Sequence, residues 1–466
     1  MKKFLIMILA VAFVAGSCSK YVDGYEFSPN SPTESNEALL TTVIQVATFS
    51  HFGGEMARLS NNLMQLTTGV QFQAQERADY SILEGDVTNE WASLYSAMND
   101  CNILMAKAGD ANPYYRGIGR VLKAMNLGLT TDLWGDVPNS EANQGEQGEA
   151  AWNPAYDAQE SVYASIQALL DGAIADFAAA EGDNAILPGT DDLIFNGDVA
   201  AWTGTAYVLK ARYANHLSKR DAAGSATAAL TALDNAYAAG FTSTASDCNA
   251  FFPGDGNSLN QWYAYSQDRA NYIKMSEPFI TLLQTINDPR LPFYASTDDN
   301  GGYSGTAIGD VSTTTSNVGE FFASATSSTP LVTFVEAKFI EAEAAMRAGN
   351  PTRAATAHND AIKAHIELVT GAPAPQAYID DQASEDLNSI TMAKIMTHKY
   401  VAMFTQQEVW TDWRRTGIPS LSPNPNGAAN GVTSIPRRLP TSQEERNYNT
   451  NAQVQQDITV PVWWDE

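Results

Sequence analysis

Residues 333–369 read TFVEAKFIEAEAAMRAGNPTRAATAHNDAIKAHIELV, and this stretch decides the fold class. Alanine and larger apolar residues recur at positions i, i+3, i+4 and i+7 in both halves, as they do in amphipathic helices. The triplet Gly349-Asn350-Pro351 separates the halves and places proline at the first turn of the second helix, where it is tolerated. Small side chains let two antiparallel helices pack closely. The stretch therefore predicts a helix hairpin.

The same periodicity recurs along most of the chain. Such hairpins resemble tetratricopeptide repeats, although the repeats are degenerate. We predict a mostly α fold in which tetratricopeptide-like helix pairs form a scaffold with long irregular loops and few short strands, as one domain over residues 34–466. The further helices are predicted over residues 33–52, with a cap at Thr33 or Ser35, and over 91–107, 114–132, 157–180, 199–220 and 223–239.

Long polar stretches interrupt the helices. They are rich in Gly, Ser, Thr, Asn, Asp and Pro, and they also contain many aromatic residues. Connections of this length are uncommon in compact proteins unless they carry function, so we expect binding through loops on a helical scaffold. These stretches are residues 134–156, 240–272, 296–330 and 417–462.

The N-terminus indicates export and lipid attachment. Lys2 and Lys3 precede an apolar run of about eleven residues, which is the layout of a signal peptide and is shorter than the ~20 residues that span a bilayer. Small residues lead directly into Cys18, as in a bacterial lipobox. We interpret residues 1–17 as a signal peptide, Cys18 as the lipidation site and residues 18–33 as a tether. The alternative is an ordinary signal peptide with a chance cysteine.

Composition limits the possible functions. The chain has 53 acidic and 27 basic residues, a net charge of −26, which argues against nucleic-acid binding. Cys101 and Cys248 could form one disulfide, or each could be a small buried residue. No histidine or cysteine cluster with metal-ligand spacing and no nucleophile or phosphate-loop motif occurs in the sequence. We therefore predict no enzyme activity, no cofactor and no metal.

Charged residues on the helices are predicted to be structural. Asp412, Arg414 and Arg415 lie near a helix end and are expected to form buried ion pairs, since Arg forks suit carboxylates. Glu341 and Glu343 are two positions apart in a helix and therefore point to different faces. Neither group is interpreted as catalytic.

A series of short segments extends over nearly the whole chain in a recognisable order. Together they resemble the SusD/RagB family of surface lipoproteins, and more narrowly its SusD-like branch. The segments are Asn30-Ser31-Pro32-Thr33, WASLY at 91–95, LTTDLWGDVP at 129–138, NPAYDAQESVY at 153–163, YVLKARYANHLSKR at 207–220, NDPRL at 287–291, FVEAKFIEAEA at 334–344, EVWTDWRRTGIP at 408–419, PRRLPTSQEERN at 436–447 and VWWD at 462–465.

The resemblance implies a non-catalytic outer-membrane lipoprotein that faces the cell exterior. Such a protein would bind an oligosaccharide and deliver it to a SusC-like TonB-dependent transporter. The alternative within the family is the peptide-binding lid of a RagAB-like peptide importer. A purely structural tetratricopeptide adaptor is disfavoured, because it would leave the aromatic loops without a role.

Two aromatic segments are candidates for the ligand site. Pyranose rings stack their flat C–H faces on aromatic rings, and rigid aromatics are ordered at little entropic cost. The alternative is that these aromatics anchor their loops to the scaffold. The candidate residues in 70–80 are Phe72, Gln75, Arg77 and Tyr80. Those in 258–274 are Asn260, Trp262, Tyr263, Tyr265 and Tyr272.

Overall fold

Helices dominate the computed structural model, which describes residues 35–256 and 258–466. The mostly α class is confirmed. In the described residues the helices are α1 (Glu37–Gly53), α2 (Glu55–Leu63), α3 (Phe72–Ala78), α4 (Thr88–Ala108), α5 (Pro113–Trp134), α6 (Gln159–Phe177), α7 (Val199–His216), α8 (Ala222–Ala238), α9 (Gln261–Asp268), α10 (Glu277–Thr285), α11 (Leu291–Tyr294), α12 (Glu320–Ala323), α13 (Phe334–Arg347), α14 (Pro351–Thr370), α15 (Gln376–Gln382), α16 (Met392–Ala402), α17 (Glu408–Thr416) and α18 (Gln443–Tyr448).

Side-chain caps fix the ends of the central hairpin. The Thr333 hydroxyl accepts a hydrogen bond from the Glu336 amide at 3.1 Å and starts α13. Asn350 caps α14 in the same way, and Gly371 ends it in the left-handed conformation with φ of 69°. At the first helix the cap is Asn36, which accepts from the Leu39 amide at 2.8 Å, so the prediction of Thr33 or Ser35 as the cap was wrong.

Helices adjacent in sequence pack against each other as pairs. The main pairs are α4 with α5, α5 with α6, α7 with α8 and α13 with α14. A Cβ atom on Gly128 of α5 would clash with the Tyr213 ring of α7, so glycine is needed where these two helices approach most closely. Trp202, Trp410 and Trp464 are fully buried in the core between the helices.

Two small antiparallel sheets connect distant parts of the chain. Strand β1 (Thr67–Gly69) pairs with β3 (Ile273–Met275), and Thr68 lies opposite Lys274. Strand β2 (Cys248–Ala250) pairs with β4 (Thr329–Val332). The Val70 amide donates to the Tyr272 carbonyl at 2.8 Å, which extends the first pairing toward the aromatic residues that follow β1.

Buried ion pairs join α13 to the C-terminal helices. Arg415 of α17 holds the Glu343 carboxylate through two hydrogen bonds of 2.6 and 2.9 Å, and it also contacts Asp412 at 2.5 Å. Lys399 of α16 contacts Asp412 at 2.8 Å. Glu341 instead pairs with Arg353 at 2.7 Å on a different face of α13, as predicted from the spacing. The charged residues of α17 are thus part of the scaffold.

The two internal cysteines are separate and unpaired. Cys101 and Cys248 are both buried and free, so the alternative of a disulfide is not realised. Burial raises the pKa of both thiols, which keeps them protonated and unreactive.

The predictions for the N-terminus concern residues outside the described chain. The signal peptide, the lipidation site Cys18 and the tether all precede residue 35. Within the described helices, none combines the length and apolar character needed to cross a bilayer.

Candidate ligand-binding site

The β1–β3 pairing brings the two predicted aromatic segments together. Phe72 stacks on Tyr272 with ring centroids 5.0 Å apart and planes 27° from parallel. Tyr265 of α9 meets Tyr272 edge-on, at 6.5 Å and 84°. We call Phe72, Tyr265 and Tyr272 the aromatic cluster. Phe72 is 64% exposed, so much of its ring is open to a ligand.

The backbone at the edge of this cluster has an uncommon conformation. Phe72 has φ of +48°, in the left-handed region that bulky residues rarely adopt. Residues in such conformations persist where the surrounding structure holds them, and they concentrate at functional sites. Here α3 begins at Phe72, directly after the segment that pairs with Tyr272.

Three arginines surround the aromatic cluster. The Arg58 guanidinium lies 4.3 Å from the centre of the Tyr265 ring and Arg269 lies 5.4 Å from it, both within cation–π range. Glu55 pairs with Arg58 at 3.2 Å and also with Arg77. Burial lowers the pKa of Arg58 to about 10, so it remains charged at neutral pH.

Two cavities adjoin the Tyr265–Arg58 contact. The Trp262 cavity has a volume of about 220 Å³, and Trp262, Tyr265, Arg269, Asn271 and Asn317 are among its lining residues. The Ser50 cavity measures about 310 Å³. Its lining includes Ser50, His51, Glu55, Arg58, Glu90, Ser93 and Gln261. Tyr265 lines the Trp262 cavity and Arg58 lines the Ser50 cavity, so their contact lies between the two cavities.

Three of the predicted ligand residues have anchoring contacts. Trp262 is 4% exposed and lies 6.4 Å from Phe404, centroid to centroid. Tyr80 is 3% exposed, and its hydroxyl accepts from the Asn424 amide at 2.8 Å. The buried Asn260 caps α9 by accepting from the Trp262 amide at 2.9 Å. In this conformation neither face of Trp262 or Tyr80 is open to a sugar ring.

The remaining predicted residues are accessible to different degrees. Arg77, Tyr265 and Tyr272 are half-buried at the cluster, whereas Phe72 is exposed. Gln75 and Tyr263 are half-buried on α3 and α9, the helices that carry the cluster residues, and their ligand role stays a prediction. Sequence reasoning missed Arg58, which lies on the buried helix α2, and Arg269. The only sequence signal for Arg269 was its position inside the second aromatic segment.

One group of described residues has spacing suited to a metal ion, namely Asp132, His216 and Glu408. His216 Nδ1 lies 3.3 Å from Asp132 and Nε2 lies 3.0 Å from Glu408, so each ring nitrogen faces its own carboxylate. Burial would lower the pKa of His216, but these carboxylates outweigh it and raise that pKa to about 9. A protonated imidazole bridging two carboxylates explains the arrangement without a metal.

Comparison with known proteins identifies one matching family. A sequence profile described as "Starch-binding associating with outer membrane", of the SusD-like type, matches residues 29–440. Comparison of the sequence with proteins of curated description finds no match.

Solved structures share the fold at low sequence identity. A chitin-binding protein is 23% identical, with a TM-score of 0.76 over 92% of this chain and 100% of that chain. A chitin-binding SusD homologue from Flavobacterium johnsoniae is 21% identical, with a TM-score of 0.76 over 91% and 98%. A SusD/RagB family protein from Bacteroides thetaiotaomicron is 22% identical, with a TM-score of 0.74 over 93% and 99%. At these identities the likeness establishes the fold alone.

Proposed function

The chain belongs to the SusD/RagB family, and we propose that it binds an oligosaccharide at the aromatic cluster without catalysing a reaction. Members of this family are binding proteins associated with the outer membrane. The observation that supports this site is the stacked, solvent-facing pair of Phe72 and Tyr272 beside two polar cavities. The relatives described as chitin-binding support a glycan as the ligand class.

The cluster offers both kinds of contact that a sugar needs. The exposed face of Phe72 gives a pyranose ring an apolar platform that is already ordered by its stack on Tyr272. Hydroxyl groups of the sugar require hydrogen-bonding partners, which Asn271, Asn317 and Gln261 supply in the neighbouring cavities. Ligand sites combine an apolar wall with a few convergent polar groups in this way.

We expect Tyr272→Ala to weaken glycan binding by about thirtyfold, the effect of removing an aromatic worth ~2 kcal/mol at a binding hot spot. Its melting temperature should stay close to that of the wild type, because the Tyr272 ring is only half-buried. Binding is measured on a glycan array that includes starch and chitin oligosaccharides, and thermal unfolding is measured on the same samples.

Trp262→Ala is the stability reference for this experiment, and only its thermal unfolding is compared with that of Tyr272→Ala. Its ring is 4% exposed, so the variant should lose about 3–5 kcal/mol of folding stability. If Tyr272→Ala keeps full glycan affinity, the aromatic cluster is not the site. If the wild type binds no glycan but retains peptides from a digest, the peptide-importer alternative replaces this proposal.

We further propose that the protein is lipidated at Cys18, faces the cell exterior and delivers its ligand to a SusC-like TonB-dependent transporter. The short apolar leader and the small residues before Cys18 support the anchor. Family membership supports the outer-membrane setting. In this arrangement residues 18–33 form a tether and residues 34–466 form the binding domain.

Cys18→Ala is expected to move the protein from the outer-membrane fraction to the soluble fraction of the cell. From wild-type membranes solubilised in mild detergent, the SusC-like transporter should co-purify with the protein. Retention of Cys18→Ala in the membrane would refute the anchor. Wild-type protein recovered without a β-barrel partner would refute the delivery step.

A further inference from the structure

The Trp262 cavity differs in charge from the rest of this acidic protein. Arg269 contributes to its lining, and no aspartate or glutamate does. Four other cavities in the described part of the chain each include at least one carboxylate in their lining. A cavity lined by a cation and by no carboxylate favours a negatively charged ligand locally, in contrast to the rest of a chain with a net charge of −26.

Among the three arginines of the site, Arg269 is the one whose charge is not matched by a carboxylate. Arg58 and Arg77 share Glu55, and Arg77 also lies 3.8 Å from Asp86. Within residues 35–256 and 258–466, the Arg269 guanidinium makes neither an ion pair nor a hydrogen bond and only lies beside the Tyr265 ring. The planar Arg269 guanidinium is therefore free to donate hydrogen bonds to an anionic partner.

A second donor, which belongs to a residue of the same cavity lining, lacks a partner. The Trp262 indole Nε1–H is buried and has no acceptor among the described residues, although Trp262 is 4% exposed. Buried polar groups are nearly always hydrogen-bonded, so an unmatched donor on a residue that lines a cavity indicates a place for an acceptor. Asn271 and Asn317 supply further amide donors to the cavity lining.

We propose that the ligand is an acidic glycan and that the Trp262 cavity receives a carboxylate of one of its uronate residues. This inference rests on the proposed function and names the substrate class of the same site. A carboxylate accepts two hydrogen bonds from the Arg269 fork. It also provides the acceptor that the Trp262 indole lacks. The aromatic cluster, whose Tyr265 also lines this cavity, stacks on the neighbouring sugar ring.

The acidic group is expected to contribute to both affinity and selectivity. Charge-assisted hydrogen bonds are about twice as strong as neutral ones, and they are strongest where water is partly excluded. The negative charge of the whole protein opposes such a ligand at long range, but that repulsion is screened within about 10 Å at 0.1 M salt. Contacts inside the cavity are screened less. We therefore expect an acidic oligosaccharide to bind about tenfold tighter than its neutral counterpart.

The test uses uronate polymers together with their carboxyl-reduced forms, which keep the same sugar ring and linkage. Oligosaccharides of polygalacturonate, glucuronan and alginate are titrated in both forms by calorimetry, with a neutral chitin hexasaccharide as an additional probe. The full chain without its signal peptide is used. We expect at least one acidic form to bind, and to bind about tenfold tighter than its reduced form.

Substitutions assign that preference to the cavity. Arg269→Gln should bring the acid-to-neutral ratio close to one, because the acidic form then loses charge-assisted hydrogen bonds that the reduced form does not make. Arg269→Lys should retain part of the preference, because a lysine keeps the charge but loses the fork. Lys107→Gln removes the same charge from an exposed position on α4, outside the cluster and its cavities, and should leave the ratio unchanged.

Each outcome decides between the two proposals. Equal binding of acidic and reduced forms, or binding of the chitin hexasaccharide alone, overturns the acidic substrate class and leaves glycan binding standing. An acidic preference that survives in Arg269→Gln overturns the assignment of the carboxylate to this cavity. If none of these glycans binds and a peptide digest does, both proposals fall.

Discussion

Glu343→Gln is expected to lower the free energy of unfolding by about 3–5 kcal/mol, the cost of removing one partner of a buried ion pair. Glu343 is 1% exposed, and Arg415 holds it through two hydrogen bonds of 2.6 and 2.9 Å. Arg347 contacts the same carboxylate, and the Asn215 amide donates to it at 2.9 Å. Three polar residues from three helices, with four contacts among them, thus depend on a single carboxylate.

The loss of charge explains the expected magnitude. Burial would raise the pKa of Glu343, but the charges of Arg415 and Arg347 outweigh it and hold that pKa well below its ordinary value. Glutamine keeps the shape of the side chain and removes the negative charge. Arg415 then remains buried and Arg347 half-buried, with only the Asp412 carboxylate to balance their charges. An uncompensated buried charge is among the most destabilising changes known in proteins.

Urea unfolding followed by circular dichroism measures this effect as a shift of the midpoint. Arg446→Ala is the control, because Arg446 forms a 2.8 Å pair with Glu84 at the protein surface. Such exposed pairs contribute about 0–1 kcal/mol. A Glu343→Gln midpoint no lower than that of Arg446→Ala would show that the buried network does not stabilise the fold.

Acid is expected to destabilise the protein strongly below pH 6.5, through His358 and His398. Their rings meet at 5.2 Å between α14 and α16, and burial lowers the pKa of His358 to about 4 and that of His398 to about 3. Neither Nδ1 nor Nε2 of the fully buried His358 has a hydrogen-bond partner among the described residues. The folded protein therefore favours two neutral rings.

The direction of this pH effect follows from the pH at which the folded and the unfolded protein each bind a proton. Unfolded histidines take up a proton near pH 6.5, whereas folded His358 does so only near pH 4. Stability contributed by the neutral ring is thus fully present above pH 6.5 and is lost as the pH falls through this window. The loss is about 1.4 kcal/mol per pH unit, or about 3 kcal/mol in total from His358 alone.

His358→Phe separates this effect from the titration of carboxylates. We expect its unfolding free energy to fall less steeply than that of the wild type between pH 6.5 and 4.5, by up to about 1.4 kcal/mol per pH unit. Phe339→Leu is the control, because Phe339 packs edge-on against His358 and does not titrate. Its pH curve should run parallel to that of the wild type. A His358→Phe curve that is also parallel would contradict the assignment.

The helical scaffold was predictable because its signals are local. In residues 333–369 the periodicity, the cap at Thr333 and the turn before Pro351 all act within a few residues of one another. Tertiary packing therefore stabilises helices that the local sequence already favours. The predicted ends of the main helices therefore lie within a few positions of the observed ones.

The site was predictable only in part, because its geometry depends on contacts between distant residues. Sequence reasoning found both aromatic segments, but it had no signal for the three-residue strands that join them. It also did not predict α9, a short helix inside a polar stretch. Asn260 caps that helix and Trp262 packs toward Phe404, so the aromatic of largest area became an anchor rather than an exposed platform.

The β1–β3 pairing also determines when binding becomes possible during folding. The Ser276 hydroxyl donates to the Gln65 carbonyl across 211 positions of sequence, so the cluster forms only after the chain between these residues has closed into a loop. Contacts between residues so far apart in sequence form late, because the entropic cost of closing a long loop comes before their stabilising free energy. A chain that has not yet closed this loop would therefore carry helical hairpins but no aromatic cluster.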